Sequence, residues 1–221
     1  MPKTNRMLLL SVVLLAVSGV GMGGAAASQA AFPHWFDEEV MIPEGSAVEN
    51  KTYSPELTFR VAASPKYFVR CVLRDFGKVW NPAGGGAGRD ESSEFTYSGC
   101  SVGELEPTMC TAIVADLEAS KGELETGSPL KDHVTFKGIE ILMGSFCGAR
   151  SKQAYNYEGK LTATLINGAL TTEIGCKEKQ DTRDVYGPTS GVLKDSAGEE
   201  AVVEGMDCIW GLPGGFVITA K

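Results

Sequence analysis

Histidine is scarce in this chain, and the two that occur, His34 and His133, stand far apart. The cysteines do not form the close C-x-x-C pairs that structural zinc sites use. No calcium-binding loop of the pattern D-x-[DN]-x-[DN]-G occurs either. The sequence therefore predicts no metal and no cofactor, and it leaves little for histidine-dependent catalysis.

Positive charge is also in short supply. The chain has 20 lysines and arginines against 28 aspartates and glutamates, a net charge of −8, and no basic cluster is visible along it. Nucleic acids and anionic lipid surfaces are bound through clustered lysine and arginine. The charge balance therefore argues against both as partners.

A long apolar run is missing, and the one short run lies near the N-terminus. Two basic residues precede the apolar segment 7–20, and small residues follow it. This is the pattern of a secretory signal, whereas a membrane-spanning helix needs about 20 mainly apolar residues. We predict a signal peptide over 1–30, cleaved after Ala30, and a secreted protein that leaves the membrane. Cleavage after Ala27 and retention as an anchor are the alternatives.

All six cysteines follow this segment: Cys71, Cys100, Cys110, Cys147, Cys176 and Cys208. An even number in an exported chain indicates three disulfides. Six cysteines allow about 15 pairings, and sequence alone does not select one. The pairing that we predict is Cys100–Cys110, Cys71–Cys147 and Cys176–Cys208. The first pair is close in sequence across a turn, the last lies in the C-terminal third, and the middle pair is what remains.

Helix signals are few, and alternation of apolar and polar residues dominates from residue 56 onwards. The alternating runs are 57–61, 95–98, 133–137 and 161–165. A period of two indicates strands, and Asn167-Gly168 between two runs predicts a two-residue hairpin turn. We predict an all-β fold, a single antiparallel β-sandwich or barrel over 53–221 with at most two short helices. An extended arm over 31–52 precedes it.

Glycine is concentrated in one segment, 81–90. It matches neither the phosphate-binding pattern G-x-x-x-x-G-K-[ST] nor the dinucleotide pattern G-x-G-x-x-G. The simplest interpretation is a flexible surface loop. As a ligand-facing loop it would use Trp80 for stacking and Arg89 and Asp90 for polar contacts. These three are the predicted ligand-binding residues of a non-enzymatic protein, with a glycan, a wall polymer or a protein as partner.

One segment matches a catalytic motif. Residues 99–103 fit the G-x-S-x-G nucleophile elbow, with Ser101 as the nucleophile. His133 is the only histidine that follows, and Asp116 or Asp132 would be its acid. The elbow requires a helix after it, and the sequence there predicts none. A small secreted serine hydrolase or esterase that uses Ser101 and His133 is therefore the alternative function.

Several short segments follow one another in a distinctive order. They are His34-Trp35-Phe36, Ile42-Pro43-Glu44-Gly45, Leu57-Thr58-Phe59, the glycine-rich segment 81–88 and the run 95–100. In this order they resemble a group of uncharacterised secreted proteins that is abundant in soil actinobacteria, most clearly over 34–147. The resemblance implies a bacterial, extracytoplasmic protein. The group has no assigned activity, so no catalytic residue is carried over.

Overall fold

The computed structural model describes residues 32–61, 68–103, 110–147, 150–167, 182–212 and 218–221. These ranges contain β-strands that pair antiparallel and no α-helix. The strands are β1 (Trp35–Asp37), β2 (Val40–Met41), β3 (Ala47–Val61), β4 (Phe68–Trp80), β5 (Arg89–Ser92), β6 (Thr96–Val102), β7 (Ala112–Asp116), β8 (Ser120–Glu125), β9 (Lys131–Met143), β10 (Ala154–Asn167), β11 (Thr182–Tyr186), β12 (Leu193–Lys194), β13 (Glu200–Gly211) and β14 (Ile218–Ala220). The predicted all-β, antiparallel, disulfide-bonded fold is confirmed.

Five long strands, β3, β4, β9, β10 and β13, run along a barrel-like structure, and shorter strands complete its wall at either end. At one end the strands form a ring that we call the first ring. Its pairing order is β3–β4–β5–β8–β9–β10–β11–β13, and β13 pairs with β3. At the other end, the second ring, β6, β7 and β12 take the places of β5, β8 and β11. There β6 and β7 meet through an isolated bridge between Ser101 and Thr111.

The interior of the second ring is a hydrophobic core. Alternating side chains of the long strands point into it, such as Phe59 on β3, Leu73 on β4 and Ile141 on β9. The residues between them along each strand face outward, which is the period of two that strands impose. The alternation that predicted these strands therefore also sorts the side chains into core and surface.

A small sheet of β14, β1 and β2 packs against the first ring. Its Trp35 and Ile218 are fully buried in a second apolar cluster with Val79 and Leu165 of the barrel wall. The predicted arm is thus part of the folded structure rather than a separate segment.

The boundary predicted at 52/53 falls inside β3, which begins at Ala47. Proline suggested an irregular arm here, but Pro55 lies at a bulge between Ser54 and Leu57, where the regular β3–β4 register is interrupted. A bulge is one of the few sheet positions that tolerate proline, because no ladder hydrogen bond is lost there.

Two of the predicted disulfide pairs, Cys100–Cys110 and Cys71–Cys147, are wrong. The structure joins Cys71 to Cys100 and Cys110 to Cys147. Because β6 pairs with β4, Cys100 lies beside Cys71, with 4.2 Å between their Cα atoms. Disulfides of this kind are compatible with an extracellular location.

Three other predictions fall on residues outside the described ranges. Cys208 is disulfide-bonded, but its predicted partner Cys176 lies outside them, as does the signal peptide 1–30. The hairpin at Asn167-Gly168 is described only in its first strand, since β10 ends at Asn167 and pairs there with Thr182 of β11. Within the described part of the chain, no helix has the length and apolar character that a membrane crossing requires.

Candidate functional site

β4 presents an outward row in which cations alternate with apolar side chains. The row consists of Phe68, Arg70, Val72, Arg74, Phe76, Lys78 and Trp80. It contains no carboxylate, because the one acidic residue of the strand, Asp75, points into the barrel and is 3% exposed. At about 3.3 Å per residue the row is about 40 Å long.

Cation–aromatic contacts join this row to β3. The Arg74 guanidinium lies 5.6 Å from the Tyr53 ring, and the Lys51 ammonium lies 5.9 Å from the Phe76 ring. The strand register creates both contacts, since Tyr53 stands opposite Arg74 and Lys51 opposite Phe76. Such contacts contribute about 0.5–1 kcal/mol each at exposed sites. They hold long side chains against the sheet instead of leaving them free in solvent.

The same contacts continue to both ends of the row. At the first ring the Lys78 ammonium lies 5.6 Å from the Trp80 ring. At the second ring the Phe68 ring has Arg60 at 5.0 Å and Arg70 at 5.3 Å. We call the whole surface the β3–β4 stripe. Its members are Lys51, Tyr53, Arg60, Phe68, Arg70, Arg74, Phe76, Lys78, Trp80 and Arg89.

Two of the three predicted ligand-binding residues belong to this stripe. Trp80 and Arg89 are direct cross-strand neighbours of β4 and β5, so both face outward. The Arg89 guanidinium lies 4.0 Å from the Glu123 carboxylate on β8. Asp90 is one residue further along β5, and its carboxyl is turned inward and buried. The structure therefore brings Trp80 and Arg89 together and separates Asp90 from them.

The glycine-rich segment is buried at 81 and at 87–88 and exposed at 83–85. The backbone N–H of Gly88 donates to the carbonyl of Pro33, and the N–H of Gly84 donates to the Glu44 carboxylate over 3.0 Å. Asn81 at its start is fully buried. The segment contacts the N-terminal residues, and the outward-facing side chains of Trp80 and Arg89 lie beside it on the strands.

Acidic residues flank the stripe without covering it. Arg70 lies 3.2 Å from Glu56, and Lys78 lies 3.7 Å from Glu91. These pairs are solvent-exposed, and such pairs contribute little to stability, so a ligand anion can replace the glutamate. Arg74 has no carboxylate partner among the described residues.

A shallow depression of about 340 Å³ opens beside the stripe. Phe76 and Lys78 line it from β4, and three glutamates, Glu49, Glu91 and Glu94, line it from neighbouring segments. The combination of an exposed ring, a cation and carboxylates offers one stacking surface with hydrogen-bond donors and acceptors around it. Such a surface suits a sugar ring better than an apolar ligand.

The alternative catalytic residues are not brought together. Ser101 lies inside β6 rather than at a strand-to-helix turn, so the elbow geometry is absent at this position. His133 Nδ1 lies 2.9 Å from the Thr162 hydroxyl, and Nε2 lies 2.5 Å from the Glu125 carboxylate. Both ring nitrogens of His133 thus have partners on β10 and β8, and neither contacts Ser101.

The two acids considered for that alternative are also placed elsewhere. Asp132 is buried inside the first ring, and Asp116 accepts a hydrogen bond of 2.6 Å from the Tyr97 hydroxyl. Burial raises the pKa of Asp116 to about 7, and the Tyr97 hydrogen bond opposes this rise. Within the described ranges no group of three or more His, Cys, Asp or Glu side chains is arranged to hold a metal ion.

Most of the stripe was missed by inspection of the sequence, although its signal is present there. Arg70, Arg74 and Lys78 recur every fourth residue, and in a strand that spacing places all three on one face. A search for contiguous basic residues does not find such a set, because buried residues separate them.

No protein-family model, no curated protein sequence and no solved structure matches this chain. The resemblance to the actinobacterial group therefore stays a prediction.

Proposed function

We propose that this chain is an exported, non-enzymatic binding protein, and that the β3–β4 stripe binds an acidic polysaccharide of a cell wall or extracellular matrix. The signal-peptide pattern and the disulfides support export. The observation that carries the proposal is the outward row of β4, in which three cations and three aromatic rings occur without a carboxylate.

The chemistry of the stripe matches this class of ligand. Aromatic rings offer flat apolar faces for sugar rings, and lysine and arginine form strong charge-assisted hydrogen bonds to carboxylates or phosphates. The net charge of −8 does not oppose local binding, because charges further away than about 8 Å are screened at physiological salt. An extended strand about 40 Å long suits an extended polymer.

The surroundings of Ser101 and His133 favour the non-enzymatic proposal over the hydrolase alternative. Nucleophilic catalysis needs the base within hydrogen-bonding reach of the nucleophile. Here the imidazole of His133 is held between Thr162 and Glu125 on the outer surface of the first ring, whereas Ser101 lies in β6 of the second ring.

The direct test is a titration of the mature protein with polygalacturonate, a polymer of uronic acids, with neutral dextran as comparison. We expect saturable binding to polygalacturonate that weakens with salt, and much weaker binding to dextran. Arg74→Glu should weaken binding about tenfold or more, since a charge-assisted hydrogen bond is worth about 1.5–3 kcal/mol. The matched control is Lys160→Glu, which makes the same charge change at an exposed position on β10, four strands away around the first ring.

Three results would contradict the proposal. Equal affinities for Arg74→Glu and Lys160→Glu would remove the stripe as the binding surface. Equally tight binding of double-stranded DNA would indicate general attraction of polyanions. Absence of polysaccharide binding, together with ester hydrolysis that Ser101→Ala abolishes, would replace the proposal by the hydrolase alternative.

A further inference from the structure

The interior of the first ring is acidic. One aspartate from each of five strands points into it: Asp75 (β4), Asp90 (β5), Asp132 (β9), Asp184 (β11) and Asp207 (β13). Four of them line a cavity of about 40 Å³ together with polar side chains such as Asn50 and Thr52. A cavity of this size holds no more than a few water molecules. Few water molecules can therefore reach the carboxyls, and Asp75 has the Ser92 and Thr52 hydroxyls as hydrogen-bond partners.

Three of these carboxyls form a chain across the ring. Asp132 lies between Asp90 and Asp184, within hydrogen-bonding range of both. Two carboxylates cannot hydrogen-bond to each other, because each only accepts; one of them must carry a proton. The contacts Asp90–Asp132 and Asp132–Asp184 are therefore proton-dependent links between β5, β9 and β11.

The surrounding hydroxyls serve only some of the carboxyls, as Ser92 and Thr52 do for Asp75. One buried carboxyl oxygen each of Asp90, Asp184 and Asp207 receives no hydrogen bond from the described residues. The Asp90 carboxyl packs directly on Gly122 of β8, where an added Cβ would lie 2.0 Å from its Oδ2 atom. The glycine thus leaves space for this carboxyl, and no ion pair among the described residues includes Asp90.

The charged and titratable groups that face the cluster are almost all acidic. Besides the five aspartates they are Tyr186, Tyr97 with its partner Asp116, and His133. Of these only His133 carries positive charge when protonated, and it acts on Asp132 alone while its ring binds Glu125 on the outer surface. In the part of the chain that the structure describes, no ion pair joins a lysine or arginine to any of these five carboxyls.

We propose that the first ring is an acid-dependent lock, in which hydrogen bonds between protonated carboxyls link β5, β9 and β11. The carboxyls of β4 and β13 lie in the same interior, and deprotonation of the cluster weakens the barrel. The protein is then most stable in mildly acidic surroundings. As the surroundings become neutral or alkaline, the buried carboxyls ionise and repel one another, and the first ring admits water.

The titration behaviour of the cluster gives the direction of the effect. Burial raises the pKa of Asp75 and of Asp132 to about 6 and that of Asp207 to about 8. Burial, with repulsion from Asp132, holds the pKa of Asp90 and of Asp184 well above the usual range. Unfolded aspartates titrate near 3.9. Between about pH 4 and pH 8 the folded state therefore binds more protons, so its stability falls as pH rises.

The test is urea unfolding of the full mature chain at pH 5, 6, 7 and 8. Each proton that the folded state holds in excess lowers the folding equilibrium constant about tenfold per pH unit. We expect at least that slope between pH 5 and pH 7 for the unaltered protein. Asp184→Asn removes one titrating carboxyl and supplies an amide N–H donor in place of the carboxyl O–H. The folding equilibrium constant of this variant should therefore fall about tenfold less per pH unit. The exposed Glu158→Gln on β10 should keep the original slope.

A second measurement covers the case in which Asp184→Asn does not fold. Urea unfolding of the unaltered protein at pH 6 in weak buffer should release protons, which a pH indicator records. A stability that is flat or rises from pH 5 to pH 8, or unfolding that takes up protons, would overturn the proposal. Neither measurement involves polysaccharide, so its outcome is independent of the proposed function.

Discussion

At the scale of single residues, Asn81 connects the N-terminal sheet to the barrel. Its side-chain oxygen accepts from the Trp35 N–H over 2.8 Å, and its amide donates to the carbonyls of Trp35 (3.0 Å) and Ile42 (2.7 Å). All of these groups are buried, so water cannot replace the amide. One side chain thus satisfies backbone groups of Trp35, at the start of β1, and of Ile42, which follows β2.

Replacing Asn81 should therefore destabilise the fold strongly. Asn81→Ala leaves the buried Trp35 N–H and Ile42 carbonyl without partners, whereas the Trp35 carbonyl keeps the hydrogen bond from the Ile42 N–H. Unsatisfied groups of this kind cost about 1–3 kcal/mol each, partly offset by relaxation. We expect a loss of about 2–4 kcal/mol in the free energy of unfolding, measured by urea denaturation. Asn156→Ala, at an exposed position on β10, is the control and should change it by less than about 0.5 kcal/mol. A similar small change for Asn81→Ala would show that Asn81 does not fix the sheet.

Single residues also show where prediction from sequence stops. The sequence places Trp80, Arg89 and Asp90 together because they flank the glycines of the segment 81–90. In a strand, one step along the chain reverses the direction of the side chain. Arg89 therefore faces the stripe, whereas Asp90 belongs to the acidic interior. Their proximity is evident in the sequence, but the face that each occupies depends on the register of β5 against β4.

At the scale of elements, β4 combines both candidate sites. Its outward face carries the cations and rings of the stripe, and its inward face carries the apolar core and Asp75. The alternation over 57–61, 133–137 and 161–165 predicted strands correctly, because a period of two is a local property. Strand partners are not local. β4 pairs with β3, β5 and β6, and no pattern within β4 specifies which strand lies on which edge.

The disulfides follow from that non-local pairing, and they give a direct check of it. Non-reducing peptide mapping should recover Cys71 linked to Cys100 and Cys110 linked to Cys147. A Cys110→Ser/Cys147→Ser double variant should lose about 3–4 kcal/mol of stability, as expected for opening a loop whose ends are 37 residues apart. Recovery of a peptide that links Cys100 to Cys110 would contradict the register between β4 and β6.

At the scale of the whole molecule, the fold has two ends of different character. The second ring encloses an apolar core, whereas the first ring encloses carboxyls and is covered by the N-terminal sheet. The sequence left sandwich and barrel open, because the difference depends on short strands such as β5 and β11 that complete the first ring. Those strands have four and five residues, too few for a clear alternation.

The stripe runs along the outside of both rings, so a bound polymer would contact many strand residues at once. The proposed function therefore predicts which residues contact the ligand, in addition to how tightly the ligand binds. Ligand contacts should follow β3, β4 and β5 in the order set by their pairing, and they should leave β9 and β10 on the far side of the first ring unchanged.

The most direct measurement of the central claim is an NMR titration of the isotope-labelled mature protein with a short oligogalacturonide. The account predicts that amide shifts concentrate at 51–53, 70–80 and 89–91 and disappear at high salt. It also predicts that Arg74→Glu reaches the same shifts only at about tenfold or more higher ligand concentration and that Lys160→Glu titrates as the unaltered protein does. Shifts that concentrate on β9 and β10, or that persist unchanged in Arg74→Glu, would contradict the claim that the β3–β4 stripe is the binding surface.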